Sequence, residues 1–179
     1  MNQIELKEFL DYKANQYELI DFITSDPIQI PHRYKQKEDI EIAGFLTASI
    51  AWGNRLSILK SANKMMALMD DAPYDFIINH KKSDLSIFEG FVHRTFNATD
   101  LTFFVRSLQN IYKNHQGLEN VFNSNKSSLQ HTIHDFKSIF FEINHPQRTL
   151  KHVSDPLKGS AAKRLNMFMR WMVRSNTKG

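Results

Sequence analysis

The chain has 179 residues, 41% hydrophobic and 23% charged, with 6 glycines and 5 prolines; this excludes disorder, collagen-like repeats and low-complexity linkers, and suits one domain with a sizeable core. It has no cysteine, which excludes disulfides, thiol nucleophiles, cysteine-ligated zinc and iron–sulfur clusters within these residues. The net charge of +4 is unevenly spread: residues 1–90 hold 10 Lys/Arg against 14 Asp/Glu, and residues 91–179 hold 13 against 5.

The first residues, Met1–Glu8, lack the basic-then-apolar pattern of a secretory signal. The longest uncharged apolar stretch, 42–53, is too short to span a bilayer. A cytoplasmic protein with no membrane partner is therefore expected, folded as a single all-helical domain over 1–179.

Helical periodicity dominates. Leu6, Phe9, Leu10, Lys13 and Tyr17 lie near helical spacing within 4–17. A short apolar cluster over 17–23 stops at Ser25-Asp26-Pro27. Two prolines make 28–34 read as an extended loop. The first strong core helix is expected over 37–52, with Glu38, Asp39 and Glu41 in its opening turn, where the macrodipole favours acids. Gly53-Asn54 is its natural stop. A helix over 55–69 follows, its apolar side made of Leu56, Leu59, Ala62, Met65, Met66 and Met69.

Short helices over 73–79 and 83–89 come next, then a loop over 91–97. Asn97 or Thr99 caps a helix from Asp100 to about Lys113, burying Leu101, Phe104, Leu108, Ile111 and Tyr112. Short 117–122 and long 128–143 segments precede the last helix, 160–174. Alternating strand patterns and fixed-period repeats are absent from the sequence. The expected fold is all-α, a compact orthogonal multi-helix bundle rather than a coiled coil.

The last helix and its preceding turn hold much of the basic surplus. From Pro146 onward there are 8 basic residues and one acid, Asp155. Charge asymmetry of this kind directs the basic part at a polyanion, although a basic solvated surface has the same composition. Ser160 behind Gly159 reads as the N-cap, and with Lys158 beside it this helix start suits an anion. Lys163, Arg170 and Arg174 fall within about 40° of one another, opposite Leu165, Phe168, Met169 and Met172. This stripe meets a phosphate or carboxylate partner, or pairs internally with acids of the N-terminal half. Lys163 is expected one turn inside the helix start among apolar residues. Desolvation and the dipole there lower a lysine's pKa and favour an amine nucleophile; a snorkelling surface lysine is the plainer reading.

The segment Lys163-Arg-Leu-Asn-Met-Phe-Met-Arg-Trp-Met-Val-Arg174 resembles the signature of a bacterial family, common in Bacteroidetes, known as a domain of unknown function. Asp26–Tyr34, Ala51–Arg55 and His93–Asn97 with Asp100 fit the same resemblance, which spans essentially the whole chain. Members of that family usually run several dozen residues past the position of Gly179, which implies a chain truncated at its C-terminus. The family in turn is distantly similar to the helix-hairpin-helix DNA glycosylase superfamily. There a glycine-containing hairpin precedes a helix that opens near a catalytic lysine. Gly159-Ser-Ala-Ala-Lys163-Arg-Leu-Asn166 is similar with two residues between Gly and Lys, although a full hairpin has two glycines. By this resemblance Lys163 is the Schiff-base lysine. The superfamily's aspartate falls beyond Gly179, so these 179 residues are expected to be catalytically incomplete.

The resemblance also implies a base plug. Asn54, or Trp52 as a stacking wedge, follows an apolar helix where such enzymes fill the gap left by a flipped base. Core-aromatic and capping roles are the plainer readings. The implied cleft lies between 37–53 and 160–174, with Arg55, Lys158, Gly159, Ser160, Arg170 and Arg174 facing nucleic acid.

Two further loop pairs, His32-Arg33 and His93-Arg94, are candidate polar sites. Either arginine suits a phosphate, or bridges to Glu38, Asp39, Glu41 or Asp100. His131 and His134 with Asp135 offer too few convergent ligands for a metal, and no cofactor motif is present. The functional expectation is a DNA-binding, DNA-glycosylase-like protein in base-excision repair, partnered by duplex DNA. The alternatives are a non-enzymatic nucleic-acid module and a helical domain whose basic face meets an acidic protein.

Overall fold

The computed structural model describes residues 1–17, 19–123 and 128–174, with the side chains of Tyr17 and Ile20 outside that description. Lys178, one of the basic residues counted above, also lies outside it. Helix α1 (Gln3–Tyr17) opens on a reciprocal cap: Asn2 Oδ1 accepts from Glu5 N–H, and Glu5 Oε2 accepts from Asn2 N–H. Its apolar residues Ile4, Leu6, Phe9 and Leu10 remain exposed. After α2 (Ile20–Ile23), the expected extended loop is instead two 3-10 turns, Pro27–Gln29 and Pro31–Arg33. Each opens on a proline, whose fixed φ suits a first helical position, and Asp26 caps the first by accepting from Ile28 N–H.

Helix α3 (Lys37–Ser49) is the centre of the molecule. All nine residues from Glu41 to Ser49 are buried. Phe45 meets the rings of Phe104, Phe136, Phe140 and Phe168, at centroid distances of 5.4–5.8 Å. Around it pack α4 (Arg55–Ala67), α5 (Pro73–Asn79) and α6 (Ala98–Asn114). The other helices are α7 (Leu118–Phe122), α8 (Leu129–Phe140) and α9 (Lys163–Val173). The fold is mostly helical, 69% against 2% strand, which agrees with the helical expectation. The strand is a departure: 92–97 forms a two-stranded hairpin, β1 (Val92–His93) and β2 (Phe96–Asn97). Arg94 makes this turn at φ 53°, and four residues are too short for a periodicity signal.

The expected cap at Asn97 is present: Asn97 caps α6, accepting from Thr99 and Asp100 N–H, while Asp100 accepts from Asn97 N–H. The segment expected over 128–143 is helical over Leu129–Phe140, with Ser128 as its cap. Leu56, placed on the apolar side of its helix, is 76% exposed, and Leu129 of the 128–143 segment is 55% exposed. Each stands in the opening turn of its helix, where the apolar stripe has not yet turned inward.

Helix α8 is clipped to the 3-10 turn Pro156–Lys158 by a buried carboxylate. Asp155 accepts from His134 Nδ1 at 3.0 Å and from Leu157 N–H at 3.1 Å. Burial works to raise its pKa, yet His134, the Leu157 amide and nearby Lys137 hold it below its ordinary 3.8. A depressed carboxylate contributes stability above its unfolded pKa and loses it as pH falls through the folded value. Asp155→Asn is therefore expected to lower the melting temperature at neutral pH. The gap to wild type should close as pH falls below about 4; a gap that persists at pH 2 would contradict this account.

Candidate functional site

The candidate site is built where α3 ends. Trp52 N–H donates to Ile50 O at 2.8 Å, turning the chain sharply. Gly53 follows at φ +96°, and an added Cβ there would sit 2.5 Å from Arg94 Nη1. Glycine is thus required by conformation and by the guanidinium laid against it. Asn54 then serves as the N-cap of α4, accepting from Ser57 N–H at 3.2 Å. It starts the next helix rather than stopping α3, which ends at Ser49.

Trp52 is half-buried and held on several sides. His93 meets its ring edge-on at 5.2 Å, and His152 stacks at 6.2 Å. The Arg164 guanidinium lies 4.8 Å from the indole centroid. Arg164 Nη1 donates to Ser49 O at 2.7 Å and Nη2 to His152 O at 3.3 Å. Burial lowers the pKa of Arg164, and the indole face offers a charge partner that needs no carboxylate.

Behind this cluster is a buried polar knot. Asp100, fully buried, accepts from Arg148 Nη2 at 3.0 Å and Thr149 Oγ1 at 3.1 Å, besides Asn97 N–H. Arg148 also donates to Thr95 O. These bonds fix the 3-10 segment Gln147–His152 to the start of α6 and so place His152. His152 Nε2 lies 3.3 Å from Asp100 Oδ2 without the alignment of a hydrogen bond. Burial lowers its pKa despite that carboxylate. His93 is buried too, its Nδ1 2.9 Å from Ser61 Oγ, and desolvation likewise lowers its pKa.

The start of α9 departs from expectation. Ser160 does not cap it; its Oγ accepts from Ala162 N–H, and Ala162 is the N-cap, in the left-handed region at φ 44°. Gly159, at φ 82°, ends the Pro156–Lys158 turn. The helix therefore begins at Lys163, which is exposed at its first position rather than set one turn inside. No side chain caps this N-terminus, and no acid stands in its first turn. Lys158 and Lys151 are exposed nearby in sequence.

The remaining candidates are distributed as follows. Arg55 is exposed, 3.8 Å from Asp26 Oδ2 and over the Phe22 ring at 5.4 Å. Arg33 bonds Asn63 Oδ1 rather than an acid. His32, Arg170 and Arg174 line a second feature, a groove of about 990 Å³ between α9, α7 and the start of α3. His32 is desolvated there enough to lower its pKa. The structure thus gathers Trp52, Gly53, His93, Arg94 and Arg164, with Lys163 next along the chain, and sends His32 to the groove. Between the two, α3 packs directly on α9: a Cβ at Gly44 would lie 2.8 Å from Met172 Cε.

Arg164 was missed by the sequence reading. Its only signal was its place directly after Lys163 in a basic segment. Among the described residues, no three His, Cys, Asp or Glu side chains form a metal-binding group, and no helix is long and apolar enough to cross a membrane.

A family model described as "Protein of unknown function (DUF2400)" matches residues 26–178. No curated protein and no solved structure matches the chain.

Proposed function

From the premise that the chain belongs to the DUF2400 family, we propose that it is a DNA-binding protein of the helix-hairpin-helix glycosylase kind. One observation carries this reading. Arg164 stacks on Trp52, so the uncapped, cationic start of α9 and the Trp52–Arg55 turn share one rim. Free helix N–H groups and lysines suit phosphates, and a rigid turn suits entry into a groove. Lys151, Lys158 and Lys163 are the exposed cations assigned to phosphate contacts, with Ser160 and Gly159 offering backbone approach.

The chemical part of the reading concerns Lys163. Its neutral amine would attack the aldehyde carbon C1′ of an abasic sugar. A C–N bond forms, water leaves, and an imine results. Borohydride then delivers hydride to the imine carbon and leaves a stable secondary amine. Exposure of Lys163 gives the amine access to a DNA sugar, while its lack of burial favours the non-enzymatic module as the second reading.

The test is a gel shift with duplexes carrying an abasic site or an oxidised purine. If the three lysines each neutralise one phosphate, log K should fall with log salt at a slope of about −2.7. Lys163→Gln should reduce that slope by about 0.9. Absence of binding to either duplex at low salt would sink the proposal. Borohydride trapping that survives Lys163→Ala refutes the role of Lys163. Binding without trapping leaves the non-enzymatic module, and salt-sensitive binding to an acidic protein but not to DNA favours the interaction domain.

A further inference from the structure

Helix α1 carries an apolar face that the core does not cover, and the groove beside α9 is an apolar trough of the kind that covers one. Leu6, Phe9, Leu10 and Lys13 recur at i, i+3, i+4 and i+7, which sets them on one face about 100° wide. Leu6, Phe9 and Leu10 are 41–54% exposed. Among the described residues, no apolar side chain of α1 packs on the core. Single apolar side chains in water are ordinary, but a continuous face is not. A 15-residue helix is marginal alone in water and takes most of its stability from packing such a face.

The groove, about 990 Å³, is lined by the half-buried side chains of Ile40, Phe122, Met169, Trp171 and Met172, with Lys35, Arg170 and Arg174 along it. An amphipathic helix docks in such a groove by anchors at this spacing. Charge favours the same occupant. Residues 1–26 hold 2 Lys/Arg against 6 Asp/Glu, whereas residues 27–179 hold 21 against 13, so the segment that carries α1 is the acidic part of a basic chain. The chain's own α1 is directed elsewhere: among the described residues, none of its members lines the groove. Only residues 18 and 19 separate it from α2, which is tied to the body. Arg55 lies over Phe22 at 5.4 Å, and Gln29 Nε2 donates to Thr24 O at 2.7 Å. A second copy brings the same helix to the groove with these ties intact, and exchange of one element between identical chains is a low-cost route to a twofold dimer. We propose that α1 of a second copy docks by its Leu6–Phe9–Leu10 face in the groove between α9, α7 and the start of α3, so that two copies exchange their first helices. This inference is independent of the nucleic-acid reading above.

The test is the mass in solution, read by sedimentation or light scattering, together with a cross-link. The wild-type chain should run at twice its own mass. Leu6→Glu combined with Phe9→Glu, both at exposed positions, should leave the body folded and abolish the dimer. Because the chain has no cysteine, Leu10→Cys in one copy and Val173→Cys in another supply the only thiols, and both positions are exposed. A flexible bismaleimide should then join the two chains, and peptide mapping should find the link between α1 and the end of α9. With both substitutions in one chain, the link should still form between chains. A monomeric wild type, or a dimer that survives the Leu6 and Phe9 substitutions, overturns the proposal. A cross-link confined within one chain overturns it too, and assigns the groove to the chain's own α1.

Discussion

Asp100→Ala is expected to destabilise the fold by about 3–5 kcal/mol, the scale for removing one partner of a buried ion pair. The carboxylate is fully buried and receives the Arg148 guanidinium, the Thr149 hydroxyl and the Asn97 amide. Alanine leaves the buried Thr149 hydroxyl and the Asn97 amide without this acceptor, while Arg148 keeps only its bond to Thr95 O, and each uncompensated buried group carries its own desolvation penalty. For a chain of this length the loss corresponds to a melting-temperature drop of about 6–20 °C. Asp100→Asn keeps one acceptor and the side-chain volume, so it should fall between the two. If Asp100→Ala melts within a degree or two of wild type, the knot does not hold the 3-10 segment as described. Because that segment carries His152, the same variant should also loosen Trp52.

Arg164→Ala is expected to cost about 2–3 kcal/mol, the scale of hydrogen bonds made by a charged group. Its guanidinium closes three gaps at once: the carbonyl of Ser49, the carbonyl of His152 and the face of Trp52. Arg164→Lys should recover little, because a point-charge ammonium cannot make a planar stack and a forked pair of bonds together. The second readout is Trp52 emission, measured with Trp171→Phe in the background. Removal of Arg164 should shift it to the red as water reaches the ring. DNA affinity should fall in the same variant, since the start of α9 is then no longer tied to the Trp52 turn. Unchanged emission and unchanged melting would show that Arg164 only covers the ring from outside.

How much of this was legible in the sequence depends on how far apart the partners are. The Asn97 cap of α6 was readable because a cap and its helix are a few residues apart. The start of α9 was not readable. Ser160 has the side chain of a cap, but the left-handed Ala162 moves the helix start to Lys163, and alanine carries no signal for that conformation. Leu56 followed the three/four spacing of its helix, and only the placement of the first turn shows that it faces water. Arg164 was opaque for a different reason: its partner Ser49 is 115 residues away. One sequence records that both residues exist but not that they meet. The basic half was visible as a count, and the structure divides it. Among the described residues after Pro146, Arg148 and Arg164 hold the interior together, Arg170 and Arg174 line the groove, and Lys151, Lys158 and Lys163 are exposed.

The contact between α3 and α9 also has a consequence in time. Helix α3 is the most deeply buried segment, and its closest covering helix arrives last among those described, with Gly44 pressed to Met172 and Ser49 to Arg164. A ribosome adding about 5–20 residues per second needs about 6–23 s to produce the 115 residues between those bonded positions. During that interval Phe45 and its neighbours have emerged, but the helix that seals them has not. The nascent chain therefore carries an uncovered aromatic surface for seconds, long enough for a chaperone to find it. Completion of this core contact follows α3 by 115 residues of synthesis, and the same closing contact that seals it sets Arg164 on Trp52.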